Sequence, residues 1–556
     1  MVLTPRQLAL ATLLVAGAVA ATPARGEPPA AQPVAVAARA QPASLQSAEA
    51  GPRYVVREVD SSNLFLEPPQ LPDLRPYTDA AVMEKIPKKG RGQVVVRRIV
   101  EAQTLHEFTG GRGRLGEWAA RQNTHPVAVF IEGGLMTPAD LAKALPQEQF
   151  AEVEKGVYIA RLPIVVMQGS VLHVDASVKE LRLSEDRGAF LVNDGHMFIT
   201  HTRVTGWRES ANGPATFRDA NAFRPFIISW GGAELYIARS TLTSLGYEAS
   251  KSFGVSISQY SPNMDARLKR KRPTGWIINS EFKDLYFGFY CYEADDVVVL
   301  NNTYRESIVY GIDPHDRSER LIIAHNTVEG TKKKHGLIIS RAVNDSWLLW
   351  NKVQNNGLSG IVIDRNSVRN VIAYNDVINN GTDGITIYES PNNLLWNNRA
   401  SSNKRHGIRL RNSLDLRLHG NIAVANGLAG VYGHIKDLTG TDRNLKIDPF
   451  QPNISMVIVG GQLIFNGSGP LAIDQPLSLE LYGVDLLAPT KKAGIQLSGI
   501  LGQHQQEILD ILVRRRGAVI IEPAERAGRD APKAAPAAQP EGAPAPAQAE
   551  AARAGS

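Results

Sequence analysis

The chain has 556 residues, roughly the length of two to four ordinary domains. Hydrophobic residues make up 43% and charged residues 21%, with 48 glycines and 33 prolines, which excludes a collagen-like or wholly disordered chain. The net charge of +6 admits an acidic ligand without demanding nucleic acid, and the single cysteine, Cys291, rules out an internal disulfide, a Cys-based zinc site and an iron–sulfur centre.

In chain order, residues 1–26 read as a signal peptide. Arg6 opens it, Leu8 to Ala20 form an apolar run, and Ala18-Val19-Ala20 offers small residues for cleavage. The run is shorter than the ~20 apolar residues that cross a bilayer, and no other run is long enough, so no membrane span is expected in the mature chain. An exported chain without disulfides points to the periplasm of a Gram-negative bacterium. Residues 27–51 and 523–556 are rich in Ala and Pro and lack apolar periodicity, so a disordered linker and a disordered tail are expected. Residues 52–155 are Pro-rich near 68–76 and basic at Lys88-Lys89-Gly90-Arg91, with a helix expected from Pro138 to Leu145. They are assigned to an N-terminal cap or accessory module.

The stretch 276–434 repeats itself. Apolar runs end in Asn279, Asn302, Asn326, Asn351, Asn375, Asn398 and Asn421, at spacings of 23, 24, 25, 24, 23 and 23. A Gly followed by an apolar residue comes nine or ten positions after each, at Gly288, Gly311, Gly336, Gly360, Gly384, Gly407 and Gly430. A period in the twenties means a solenoid. The short Val/Ile/Leu-rich pieces alternate apolar with polar, which favours strands. The expected fold is all-β, a right-handed parallel β-helix over 156–445 with rungs of about 24 residues. A leucine-rich repeat is the competitor, but its Leu-x-x-Leu-x-Leu pattern and helix are missing. Residues 446–522 are expected to add C-terminal coils and a cap, with Gln505 to Arg514 helical. The repeated asparagines suit a turn and a stacked amide ladder, a scaffold role first.

Strand alternation then defines an outer face. After each repeat Gly, the first and third residues point inward and the second and fourth point outward. One outward column holds Tyr290, Asp313, Ile338, Val362, Thr386 and Arg409. The next holds Tyr292, His315, Ser340, Asp364, Tyr388 and Arg411. Residues before each Gly give Tyr310, His335, Ser359, Asp383 and His406, and the strand ends give Glu293, Asp316, Arg341, Arg365, Glu389 and Asn412. Arg341, Arg365, Arg409, Arg411 and Lys334 make the face electropositive, suited to an acidic linear polymer. Asp313-Pro314-His315-Asp316 breaks the strand pattern with a proline, as happens at functional sites.

On this solenoid the Asp-Pro-His-Asp motif resembles the periplasmic mannuronan C5-epimerases of alginate biosynthesis, over roughly 52–520. The resemblance implies conversion of β-D-mannuronate to α-L-guluronate within polymannuronate, with no required metal or other cofactor. It implies His315 as base and Arg341 as neutraliser of the substrate carboxylate, with Tyr310 and Asp313 beside them. Asp316, Arg365, Arg409, Arg411 and Lys334 are expected to contact substrate. Asn351 and Asn356 match positions the family needs for activity, a need the ladder also explains structurally. Periplasmic alginate export or scaffold proteins are the expected partners. Two alternatives stay open: a polysaccharide lyase, which shares the first step and then expels the O4 glycan, and a non-catalytic guide for nascent polymer. The carboxylates Asp313, Asp316, Asp364 and Asp383 are dispersed over rungs and not gathered as a calcium cage. Epimerase activity is therefore expected to survive chelation in full, and loss restored by Ca²⁺ would contradict that expectation.

Overall fold

The computed structural model describes residues 52–60, 67–99, 120–122, 125–249, 251–260, 262–488, 490 and 494–527. The expected signal peptide, the linker 27–51 and the tail from 528 onward lie outside the described residues. The chain winds as a right-handed parallel β-helix of about 14 turns. Each coil gives one short strand to each of three sheets. In the coil that carries Asp-Pro-His-Asp these are Val298–Leu300 in sheet 1, Thr303–Arg305 in sheet 2 and Tyr310–His315 in sheet 3. Along the solenoid each strand pairs with its equivalent one coil away. The inward positions Ile312, Leu337, Ile361, Ile385 and Ile408 stack in a column with no exposure, each burial contributing about 1.5–3 kcal/mol. Cys291 joins the same core.

Two corners are locked by amides. Between sheets 1 and 2, Asn302, Asn326, Asn351, Asn375, Asn398 and Asn421 form the expected ladder. The backbone N–H and Nδ2 of each donate to Oδ1 of the next at 2.9–3.1 Å. A second ladder between sheets 2 and 3 runs through Asn356, Asn380, Asn403, Asn426 and Asn466. One detail differs from expectation. Asn279 aligns with Asn301, and Ser280 takes the ladder position, donating its N–H to Asn302 Oδ1. The left-handed residue at this corner precedes the ladder asparagine: Asn301, His325, Trp350, Tyr374 and Asn397. That conformation costs a side-chain-bearing residue roughly 1–2 kcal/mol. Ring stacking offsets part of it, at 4.9 Å between His325 and Trp350 and 5.4 Å between Trp350 and Tyr374.

The N-terminal end differs from the expected module. Parallel pairing begins with Val127–Glu132, well upstream of 156. The described residues 52–60 and 67–99 pack on the solenoid and are not a separate cap. Tyr54–Val59 pairs antiparallel with Ala518–Pro523 at the C-terminal end. The chain then returns along sheet 1: Trp347 Nε1 donates to the Gln70 carbonyl, Asn279 Nδ2 donates to Asp79, and Tyr77 packs edge-on against Trp276. Finally Gln93–Arg98 closes the N-terminal edge of sheet 3. The described residues 67–99 form a strap along the solenoid, held by single aromatic and polar contacts that have no rung periodicity. The expected helices at Pro138–Ala144 and Gln505–Leu509 are present.

Asn375→Ala leaves the Asn351 N–H, the Asn351 amide and the Leu348 carbonyl short of partners. At about 1–3 kcal/mol per orphaned buried group, a loss of roughly 3 kcal/mol or more is expected in denaturant unfolding.

Candidate active site

Backbone pairing places the expected outer column in register. Tyr292 pairs with His315, His315 with Ser340, Ser340 with Asp364, Asp364 with Tyr388, and Tyr388 with Arg411. Pro314 interrupts the ladder locally: pairing with the next coil holds at Ile312 and His315 and lapses between them. The strand ends Glu293, Asp316, Arg341, Arg365, Glu389 and Asn412 all adopt left-handed backbone, with φ between 38 and 64°. They form one margin of a cleft on sheet 3. Tyr310 and His335 lie at the start of their strands, with ring centroids 6.1 Å apart. The column Ile338, Val362 and Thr386 lies between and is nearly inaccessible, so it is a covered floor and not an open row.

His315 Nδ1 is hydrogen-bonded to Asp316. An ionised carboxylate only accepts, so Nδ1 carries the proton, and the neutral ring keeps its lone pair on Nε2. Burial alone would depress the His315 pKa. The Asp316 hydrogen bond and the charges of Asp313 and Asp316 outweigh it, and the net shift is upward. Burial opposes ionisation of Asp316, but His315 and Arg341 hold its pKa below the usual carboxylate range. His335, His406 and His434 also lie on this face, and burial together with neighbouring cations pushes each down to about 4. Asp313 is pushed up to about 7 by burial, with His315 and Lys334 opposing. Tyr310 is also shifted upward by burial, and Lys334 Nζ donates to its hydroxyl at 3.2 Å.

Arg341 lies one coil beyond Asp316. Its Nη1 is 3.8 Å from Asp316 Oδ1, and its Nη2 donates to Asp448 Oδ2 at 3.1 Å. Arg365, one coil further, reaches Asp364 at 3.3 Å and Asp448 at 3.6 Å. Beginning beside His315, the side chains of Asp316, Arg341, Asp448 and Arg365 thus form a continuous chain of alternating charge. The side chains of Arg341 and Arg365 remain 32% and 37% exposed, open to a carboxylate from the cleft. Among the described residues no group of three or more His, Cys, Asp or Glu converges to hold a metal ion.

Three expected substrate contacts fall elsewhere. Asn351 and Asn356 are buried ladder members at the two amide-locked corners. Asn351 Nδ2 donates to the Ile323 carbonyl and Asn375 Oδ1, and Asn356 Nδ2 to the Val328 carbonyl and Asn380 Oδ1. Arg411 is committed to a bidentate pair with buried Glu389, at 2.6 and 3.0 Å. Arg409 faces Asp383 at 3.5 Å and His434 at 3.3 Å and is less enclosed by charge. The sequence placed Glu389 at a strand end without its role, and gave no sign of Asp448 or Arg443. Asp448 and Arg443 sit in an insertion betrayed by the ladder: the step from Asn403 to Asn426 is 23 residues, and from Asn426 to Asn466 it is 40.

Comparison with known proteins agrees with this fold. A family model described as right handed beta helix region matches residues 288–441. The mannuronan C5-epimerase of Pseudomonas aeruginosa is 58% identical over 494 residues, 89% of this chain and 91% of that protein. The Pseudomonas putida mannuronan C5-epimerase is 56% identical over 473 residues, 85% of this chain and 91% of that one. A crystal structure of the periplasmic alginate epimerase AlgG matches with a TM-score of 0.75 at 54% identity, covering 76% of this chain and 100% of that chain. With more than half of the residues identical along nearly the whole length of these relatives, the chain belongs to the mannuronan C5-epimerase family.

Proposed function

We propose that the chain epimerises β-D-mannuronate to α-L-guluronate at C5 within polymannuronate, with His315, Arg341 and Tyr310 acting in the sheet 3 cleft. The contact chain from His315 through Asp316 to Arg341, across two adjacent coils, is the observation that supports these roles. The proton at C5 is very weakly acidic because it lies next to a carboxylate, and its removal makes a dianion. Arg341, aided by Arg365, neutralises that carboxylate before and during proton loss. His315 Nε2 takes the proton, and Asp316 stabilises the imidazolium that results. Return of a proton to the opposite face inverts C5. Tyr310 supplies it, directly or through a water; its raised pKa keeps the phenol protonated at neutral pH, and Lys334 stabilises the phenolate formed. Asp313 sits behind His315 and tunes its charge. Arg365, Arg409 and Lys334 hold the carboxylates of the polymer. In this reading residues 1–26 export the chain to the periplasm, where export or scaffold proteins of alginate assembly would meet it.

Proton NMR of polymannuronate incubated with the protein in D₂O tests the reading. Guluronate signals, deuterium at C5 and an unchanged chain length are expected, and an unsaturated cleavage product would reassign the protein as a lyase. His315→Ala and Arg341→Ala are each expected to lower kcat by about 10²–10³.

The raised His315 pKa sets the sign of the pH dependence. Only neutral His315 accepts a proton, so kcat/KM falls as pH drops through that raised value. Asp316→Asn removes one of the two anions that raise it, together with its hydrogen bond to a carboxylate, so the acid limb moves to lower pH while kcat falls. A pH–rate profile of the two proteins checks both directions.

A further inference from the structure

We propose that Asp448 is a positioning residue for the reaction, holding the Arg341 and Arg365 guanidinium groups side by side as one carboxylate-binding edge. The inference rests on the reading of Arg341 given above.

Asp448 lies in the insertion that follows the strand Val431–His434 and lengthens that coil. The insertion does not simply bulge outward. It folds back along the cleft margin, and its contacts step toward His315 coil by coil. Lys436 exchanges two backbone–side-chain hydrogen bonds with Asn412, at 2.7 and 2.8 Å. Arg443 then reaches Glu389 at 2.5 Å, and Asn366 Nδ2 donates to the Pro449 carbonyl at 3.1 Å. Asp448 arrives at Arg341 and Arg365 with its backbone fixed on both sides: its N–H donates to the Asn444 carbonyl, and its own carbonyl accepts from Arg443 Nε at 2.9 Å.

The carboxylate itself is 5% exposed and sits between the two arginines. Arg341 has few other restraints. Its Nε is buried without a partner, and its remaining anion, Asp316, is 3.8 Å away. A long guanidinium side chain loses orientation when its one close partner is removed. Asp448 also offsets positive charge at the cleft. Removing it therefore has two opposed effects: ground-state attraction for a polyanion grows, and the geometry that neutralises the carboxylate in the transition state is lost.

The experiment compares Asp448→Ala, Asp448→Asn, Asn366→Gly and Arg341→Ala in the full chain, with initial rates on polymannuronate read by NMR and folding checked by thermal melting. Asn366→Gly removes a loop anchor, keeps the left-handed backbone there and leaves Asp448 on its arginines. For Asp448→Ala, kcat is expected to fall roughly 10- to 100-fold, the scale of a misplaced orienting group, with KM unchanged or lower. Asp448→Asn retains an acceptor for Arg341 and is expected to recover part of kcat, and Asn366→Gly to stay within about twofold of the parent. A kcat for folded Asp448→Ala within about twofold of the parent, or an equal loss in Asn366→Gly, overturns the proposal by making Asp448 a loop anchor. If Arg341→Ala keeps full activity, the catalytic reading fails first and this one with it. If Arg341→Ala is inactive while Asp448→Ala is not, this inference alone fails.

Discussion

Hydrogen-bond register between successive coils sets every distance at the site. His315 and Arg341 belong to different turns of the chain, and nothing in their local sequence brings them together. Parallel pairing of Tyr310–His315 with Leu337–Ser340 puts position 316 beside position 341. A slip of one residue would exchange inward and outward side chains along a whole strand. The two asparagine ladders oppose such a slip, because each amide must meet its neighbour in both donor and acceptor roles. A ladder asparagine such as Asn351 or Asn356 is buried at a corner of the coil and fixes the spacing from which the site is built.

The margin of the cleft shows how charge is arranged on such a frame. Buried charges must be paired, since desolvating a lone one costs several kcal/mol. Glu389 holds both Arg411 and Arg443, and Asp448 holds both Arg341 and Arg365. The first cluster is enclosed and serves to anchor the insertion. In the second, both arginines stay about one-third exposed and still have donors for a ligand. The same residue type in neighbouring columns therefore does two jobs, and the difference lies in enclosure rather than identity.

Much of this was legible in the sequence because a solenoid writes its contacts as a period. Spacing alone gave the strand registers, the inward core column and the outward columns through His315 and Asp313. What carries no period was not legible. The strap over 67–99 touches sheet 1 through single aromatic and polar contacts that leave no repeating mark. Asn279 was misaligned by one because its apolar run ends in one asparagine where the ladder needs the residue after it. Asp448 and Arg443 lie in a stretch where the period fails, and the enclosure of Arg411 depends on side chains reaching across a corner. The 40-residue step from Asn426 to Asn466 became visible only once the ladder was in place, and it does not by itself say that the insertion folds back toward His315.

Protonation ties these elements to the chemistry. Asp313 and Asp364 are raised to about 7 and about 6 by burial, while Asp316 is held ionised. Burial therefore weakens the hold of Asp313 and Asp364 on their charges, while the carboxylate next to the imidazole keeps its own. A uronate entering the cleft adds an anion close to His315, which by itself would favour the imidazolium and disable the base. In the proposed mechanism Arg341 and Arg365 offset that added charge at the margin, so their part goes beyond stabilising a dianion: they also counter the rise in His315 basicity that the substrate carboxylate would cause.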